Sequence, residues 1–259
     1  MKNAVASLFT LLLTLLLSLL LASLLVLFPL VTSAAEPEAL LQLADRARGG
    51  DLPGIAWIIE INSHDSDGDT RQVMNAIAVT HDNISNTRVD YTSPEKIKGQ
   101  RVLMVGRNMW FSRPGLQKPV PISPRQRLIG QAANGDIAAT HYTADYNAKA
   151  VGTEQIGNES CVLFELTAKE KNVTYDRIRY WVSEKRKVGV KAEFYTVSGK
   201  LFKSATFEYG NDITYEGQHI PFVSRMVITD ALNTSNVTTL DYREVRVKKP
   251  DPSLFELNS

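Results

Sequence analysis

The sequence predicts a mainly β protein with short helices: a large antiparallel sheet interrupted once by a helical insert, behind an apolar leader. Three observations carry this. Lys2 is the only charged residue before Glu36. From Ile55 onward, short runs rich in β-branched and aromatic residues alternate with turn residues. Between two series of such runs, residues 118–147 open with Pro119, Pro121 and Pro124 and lose the strand pattern.

The leader comes first. Leucine dominates from Ala4 to Leu30, broken only by Ser7, Thr10, Thr14, Ser18 and Ser23 among polar residues, and Pro29, Thr32, Ser33, Ala34 and Ala35 supply a helix break and small residues. This is the pattern of an export signal over residues 1–35, cleaved after Ala35, which leaves residues 36–259 as a single domain outside the cytoplasm. The apolar run is also long enough to span a bilayer, so an uncleaved inner-membrane anchor is the alternative. No cysteine lies near residue 35, so acylation at the cleavage site is excluded.

An amphipathic helix opens the domain. Leu40, Leu41, Leu43, Ala44 and Ala47 recur at helical spacing between Glu38 and Arg48, and Gly49 and Gly50 end it. Five β runs follow: Ile55 to Asn62, Arg71 to Thr80, Thr87 to Tyr91, Val102 to Val105 and Met109 to Ser112. In the insert, Ser123, Pro124 and Gln126 fit the N-cap, N1 and N3 positions of a helix ending at Asn134-Gly135, and Asp136 can cap a second turn carrying Ile137, Ala138 and Ala139. Two short helices with small apolar faces are expected there, placed as a lid. The second β series runs from Cys161 to Ala168, Thr174 to Val182, Val190 to Val197, Phe202 to Tyr209, Ile220 to Ile228 and Val237 to Val247. Its turns at Glu184 to Lys187, Ser198-Gly199 and Glu216-Gly217 are too short for parallel crossovers, so about eleven strands pair antiparallel in a large curved sheet or barrel.

Composition removes several classes of function. With 44% hydrophobic residues the chain sustains a core, and 29 basic against 28 acidic residues leave no surface demanding nucleic acid. Cys161 is the sole cysteine, and His64, His81, His141 and His219 are scattered, so no disulfide framework, metal centre or haem site is expected. No G-x-S-x-G, H-E-x-x-H or phosphate loop occurs, and Cys161 has no local base. Neither an enzyme nor a cofactor is indicated. Asp65, Asp67, Gly68 and Asp69 imitate a calcium loop, but position twelve is Ala76 where a bidentate Glu is needed, so they read as a hairpin turn. Lys185, Arg186 and Lys187 read as a solvated basic turn, and the N-x-S/T triplets at Asn83, Asn158, Asn172, Asn233 and Asn236 as incidental.

Several longer segments resemble the LolA-like outer-membrane lipoprotein-sorting proteins. They are Gly106 to Phe111, Lys118 to Leu128, Gly130 to Tyr146, Leu166 to Lys169, Thr174 to Ile178, Lys191 to Lys200 and Pro221 to Met226, and the resemblance extends roughly from Leu40 to Pro252. It implies an unclosed, curved antiparallel half-barrel with a helical lid over the concave face and an apolar cavity beneath. It also implies a periplasmic carrier that receives lipoprotein acyl chains, or other lipid, from an inner-membrane transporter and yields them to an outer-membrane acceptor. The family's lid-latching arginine has no counterpart by motif in this sequence.

On that footing the expected cavity lining is Trp57, Ile59, Met109, Phe111, Phe194, Phe207, Met226 and Ile228. Adjacent strand residues point to opposite faces, so at most two of Met109, Trp110 and Phe111 share it. Ile122, Leu128, Ile129, Ala132 and Ile137 are the expected lid residues, within a gate from Pro121 to Tyr142. Hiding acyl chains is worth roughly 0.8 kcal/mol per methylene, which is why transfer through water needs a carrier. A monomer without nucleic-acid partners is expected. The competing reading is a membrane-anchored, lipid- or lipoprotein-sensing ectodomain.

Overall fold

Strand β1 (Ile55–Asp65) shows how the main sheet is built, because Ile55, Trp57, Ile59 and Ile61 are buried at every second position. The structure is a computed structural model that describes residues 35–65, 68–81 and 84–257. The expected signal lies outside these except for Ala35, as do Asp67 and Asn83.

After β1 come β2 (Gly68–His81), β3 (Ile84–Ser93), β4 (Arg101–Val105), β5 (Asn108–Ser112) and β6 (Val120–Ile122), each paired antiparallel with its predecessor. The insert holds β7 (Arg127–Ile129), β8 (Ala132–Ala133), and two helices of about one turn. The second series is β9 (Tyr146–Ile156), β10 (Glu159–Ala168), β11 (Arg177–Ser183), β12 (Gly189–Tyr195), β13 (Leu201–Glu208), β14 (Asn211–Tyr215), β15 (Gln218–Phe222), β16 (Arg225–Asp230) and β17 (Val237–Val247). Thirteen of these strands form one sheet in the order β6-β5-β4-β3-β2-β1-β17-β16-β13-β12-β11-β10-β9. It is open: β6 and β9 are its two edges. The antiparallel, unclosed class is as expected, with more strands than about eleven because β6 and β9 join the sheet and the Ile220 to Ile228 run divides. There the chain bends at Val223-Ser224, whose amides donate to Ala47 and Glu208, and passes from the β14–β15 hairpin into the main sheet.

One face of this sheet, called the inner face below, carries a continuous row of apolar side chains. Register places Phe111 opposite Val102, Val102 opposite Val89, Val89 opposite Ala76 and Ala76 opposite Trp57. On the other half, Leu240, Met226 and Phe207 are successive cross-strand partners, as are Phe194, Ile178 and Leu166. Helix α1 (Ala35–Arg46) covers part of the row with Leu40, Leu41 and Ala44. It ends two residues earlier than the sequence predicts, because Ala47 to Gly50 form a tighter turn with amides bonded to Leu43, Asp45 and Arg46 carbonyls. Gly49 takes φ +96°, and its Cα lies against the Trp57 ring, so a side chain there would be both strained and crowded.

The first insert helix does not form. Ser123 and Gln126 make the hydrogen bonds of a helix start, Ser123 N–H to Gln126 Oε1 at 2.9 Å and Arg125 N–H to Ser123 Oγ at 3.2 Å, but they close a single turn. The chain then enters the β7–β8 hairpin. Gly130 interrupts the would-be helix at φ +51° and lies so close to the Ser63 and Thr238 hydroxyls that any Cβ would collide with them. Packing against the sheet overrides a weak helix signal. The second helix is present as α2 (Asn134–Ala138), where Asp136 is an interior residue reaching back to the Ala133 amide at 2.8 Å, followed by α3 (Tyr142–Asp145).

Candidate functional site

The eight residues expected to line a cavity share one face of the sheet. Trp57, Ile59, Phe194, Phe207, Met226 and Ile228 are buried in a single apolar cluster, and Phe111 packs against it partly buried. Met109 is buried in an adjoining cluster with Met104 and Ala138. Met109 and Phe111 pair with Met104 and Val102 on the inner face, and Trp110 points the other way, opposite Leu103. The insert meets them: Ile129, Ala132 and Ile137 are buried in the main cluster, while Ile122 and Leu128 pack on it partly buried. The inner face is therefore covered by α1 and the insert.

Polar contacts fasten the insert as well. Asp136 is 1% exposed and Lys203 4%, and they form an ion pair at 3.0 Å. The same carboxylate accepts from the Tyr175 hydroxyl at 2.6 Å, and Lys203 Nζ also donates to the Gln131 carbonyl at 2.8 Å. Lys203 Nζ stands over the Tyr175 ring, 4.7 Å from its centre. Burial, then the neighbouring Asp136 charge, pushes the Tyr175 phenol well above its ordinary value, so it remains a donor. Around this pair, a lysine of strand β13 holds α2 and the hairpin turn through one carboxylate and one carbonyl.

A second fastening lies at the other end. Asp45 of α1 accepts from the Tyr142 amide at 3.0 Å, the Thr143 amide at 2.8 Å and the Thr143 hydroxyl at 2.7 Å, holding the start of α3. Burial pushes the Asp45 carboxyl up, opposed by His141 and by those hydrogen bonds. Arg48, also buried, lies over the Tyr142 and Phe207 rings at 4.7 and 4.9 Å, and its Nη1 has no hydrogen-bond partner among the described residues. Thr87 donates to the Ala138 carbonyl at 2.9 Å, and Arg107 to Asp145 and the Ala144 carbonyl at 2.9 and 2.7 Å. Sequence reasoning missed Lys203, although its phase with Ala205 and Phe207 on one strand places an amine on the apolar face.

Clefts open on both flanks of the insert. One of about 580 Å³ lies between the Gly130–Ala133 turn and the β12–β13 loop, with Tyr175, Phe202 and Lys203 at its wall. The other, of about 430 Å³, lies by Met104, Arg107, His141 and Asp145. Among the described residues no group of acidic, histidine or cysteine side chains is arranged to hold a metal, and no helix is long and apolar enough to cross a membrane.

This architecture has solved relatives. A LolA superfamily protein from Nitrosomonas europaea is 31% identical, over 85% of this chain and 97% of its own, with a TM-score of 0.74. The chain belongs to the LolA superfamily. A putative outer-membrane lipoprotein-sorting protein domain from Vibrio parahaemolyticus matches at 17% identity, covering 87% of this chain and 98% of that one, with a TM-score of 0.72. A DUF1329 family protein from Desulfovibrio piger matches at 16% identity, covering 86% and 97%, with a TM-score of 0.70. These last two share the LolA-like fold. A family model described only as "Uncharacterized protein" matches residues 84–259, and no curated protein matches. The LolA-like sheet of this chain thus meets an insert held by Lys203–Asp136 and by Asp45.

Proposed function

We propose that the protein is a periplasmic carrier that shelters acyl chains of lipoproteins, or of other lipids, on the inner face of its sheet. The observation that carries this reading is the way that face is covered. Ile129, Ala132 and Ile137 are buried in one apolar cluster with Phe194, Phe207 and Met226, and the insert is further held by discrete polar contacts instead of by a long helix or a continuous ladder. An apolar surface hidden by a short, discretely fastened segment is one that cargo can occupy by exchange, and the empty protein stays soluble because the segment covers it. Export through the leucine-rich leader places the carrier between the two membranes, and an inner-membrane donor and outer-membrane acceptor are its partners. Family likeness to a lipoprotein-sorting domain supports the cargo class.

Binding of a fluorescent fatty acid tests this. Asp136→Asn removes the charge that Lys203 pairs with, favours the open state, and is expected to strengthen probe binding several-fold. Arg186→Ala, on the exposed basic turn paired with Glu159, leaves it unchanged. If neither the parent nor a folded Asp136→Asn variant binds the probe, the carrier reading fails.

A further inference from the structure

The two edges of the sheet are treated differently by the sequence. The edge strand β6 has three residues, contains Pro121, and is flanked by Pro119 and Pro124, which is how sheets protect a free edge from pairing. The edge strand β9 has eleven residues and no proline. Residues 147–155 are exposed on both faces, and among the described residues no strand pairs with its outer side. A long, unblunted edge is a template for another strand.

Which strand fits is indicated by a bulge. Lys149 is opposite Glu165 of β10 and Glu154 is opposite Cys161, and Glu165 and Cys161 share a face because they are four residues apart. Lys149 and Glu154 are five apart, yet share a face too, because the register slips by one residue between Leu163 and Phe164, at Val151. In a second β9 laid antiparallel about a twofold axis between Val151 and Gly152, Lys149 then meets Glu154 of the second copy, twice over. Ala150 meets Thr153 and Ala148 meets Gln155, again with matching faces. Glu154 is positioned by the Trp181 indole N–H at 2.8 Å on one carboxylate oxygen and by a longer contact of 3.4 Å from Arg179 Nη2 on the other, while its side chain stays 47% exposed and can take a second cation. Lys149 is exposed and makes no hydrogen bond or ion pair among the described residues.

We infer that β9 is a homodimerisation edge, where two copies of this chain join their sheets through Lys149–Glu154 pairs. This departs from the expected monomer, which rested on no surface feature, and is independent of the carrier reading.

Sedimentation equilibrium of the full protein purified from the cell envelope tests it. The parent is expected to dimerise at or below the order of 100 µM. Lys149→Glu opposes like charges at both symmetric positions and should weaken the dimer roughly tenfold. Glu154→Lys should do the same, and combining the two substitutions should restore the parent affinity, because the pairs are rebuilt with reversed sign. A parent that stays monomeric, a Lys149→Glu variant that dimerises as the parent does, or a folded double variant that fails to recover overturns the inference. Lys149 makes no hydrogen bond or ion pair among the described residues, so its substitution reads the edge even if Glu154→Lys disturbs Trp181 and Arg179.

Discussion

Ile59, Met226 and Ile228 on the inner face are buried by apolar contact and flanked on both sides by ladder hydrogen bonds. The segment from Val120 to Asp145 covers the same face with three strands of two or three residues and helices of five and four, and among its fixed points are Asp136, Lys203, Asp45, Thr87, Arg107 and Arg125. The sheet's stability is spread over many small contacts. The insert adds to its apolar contacts a set of discrete polar ones, several of them charged and each sensitive to the loss of one partner. Discrete fastening lets a segment open as a unit while the sheet below stays folded.

The comparison is broken most directly at Asp136. Asp136→Ala leaves Lys203 buried without its carboxylate, a loss of about 3–5 kcal/mol for breaking a buried pair. Hydrogen exchange should show it first in the amides of Ile129 to Tyr142, with Ile59 and Ile61 protected as before. Replacing both partners, Asp136→Leu with Lys203→Met, removes the stranded charge and should return most of that stability. Equal loss of protection in sheet and insert would mean that the two are one cooperative unit.

Met226→Ala attacks the other side of the comparison. Met226 is fully buried between Phe207 and Leu240, so truncation should lower unfolding free energy by about 2–4 kcal/mol in urea denaturation. Here the insert and sheet should lose protection together, because the surface on which both rest is damaged. A drop confined to the insert would reverse the assignment of roles.

These contrasts also explain what the sequence made legible. Helix α1 and the runs around β1, β12, β13 and β17 have one buried and one wetter face, so period and turn residues reveal them, and the face shared by Phe194, Phe207 and Met226 follows from alternation alone. Strand β9 is wet on both faces and carries no apolar period, so its own residues give no signal; only pairing with β10 makes it a strand. The expected helix after Pro124 had its cap residues in place, but Gly130 must approach Ser63 and Thr238, a contact 67 residues away in the chain at the nearer partner. Lys203 and Asp136 were readable singly, as a lysine in phase with apolar neighbours and as a cap. Their meeting depends on the tertiary course of the insert.

The smallest effect sharpens the comparison by placing an ion pair where the insert's are not. Glu60 lies on the outer face of β1, between the inner residues Ile59 and Ile61, and accepts from Arg71 Nε and Nη2 at 2.9 and 3.0 Å. The Arg71 hydrogen bonds, with help from Asn62 and Arg243 and against some desolvation, hold its carboxyl down at about 2, from an ordinary 4.5. A depressed folded value means the contribution is fully present above pH 4.5 and disappears as pH falls toward 2. Glu60→Gln should therefore be less stable than the parent near neutrality, with the two denaturation curves converging as pH approaches 2. Because the Arg71 side chain is 61% exposed, water and salt screen this pair, and the difference at neutral pH should fall below that of either substitution above and shrink in high salt. The Asp136–Lys203 pair, 1% and 4% exposed, should keep its effect in the same salt. Equal salt sensitivity at both sites would show that the insert's fastening is as wet as the sheet's outer face, and the distinction between them would be lost.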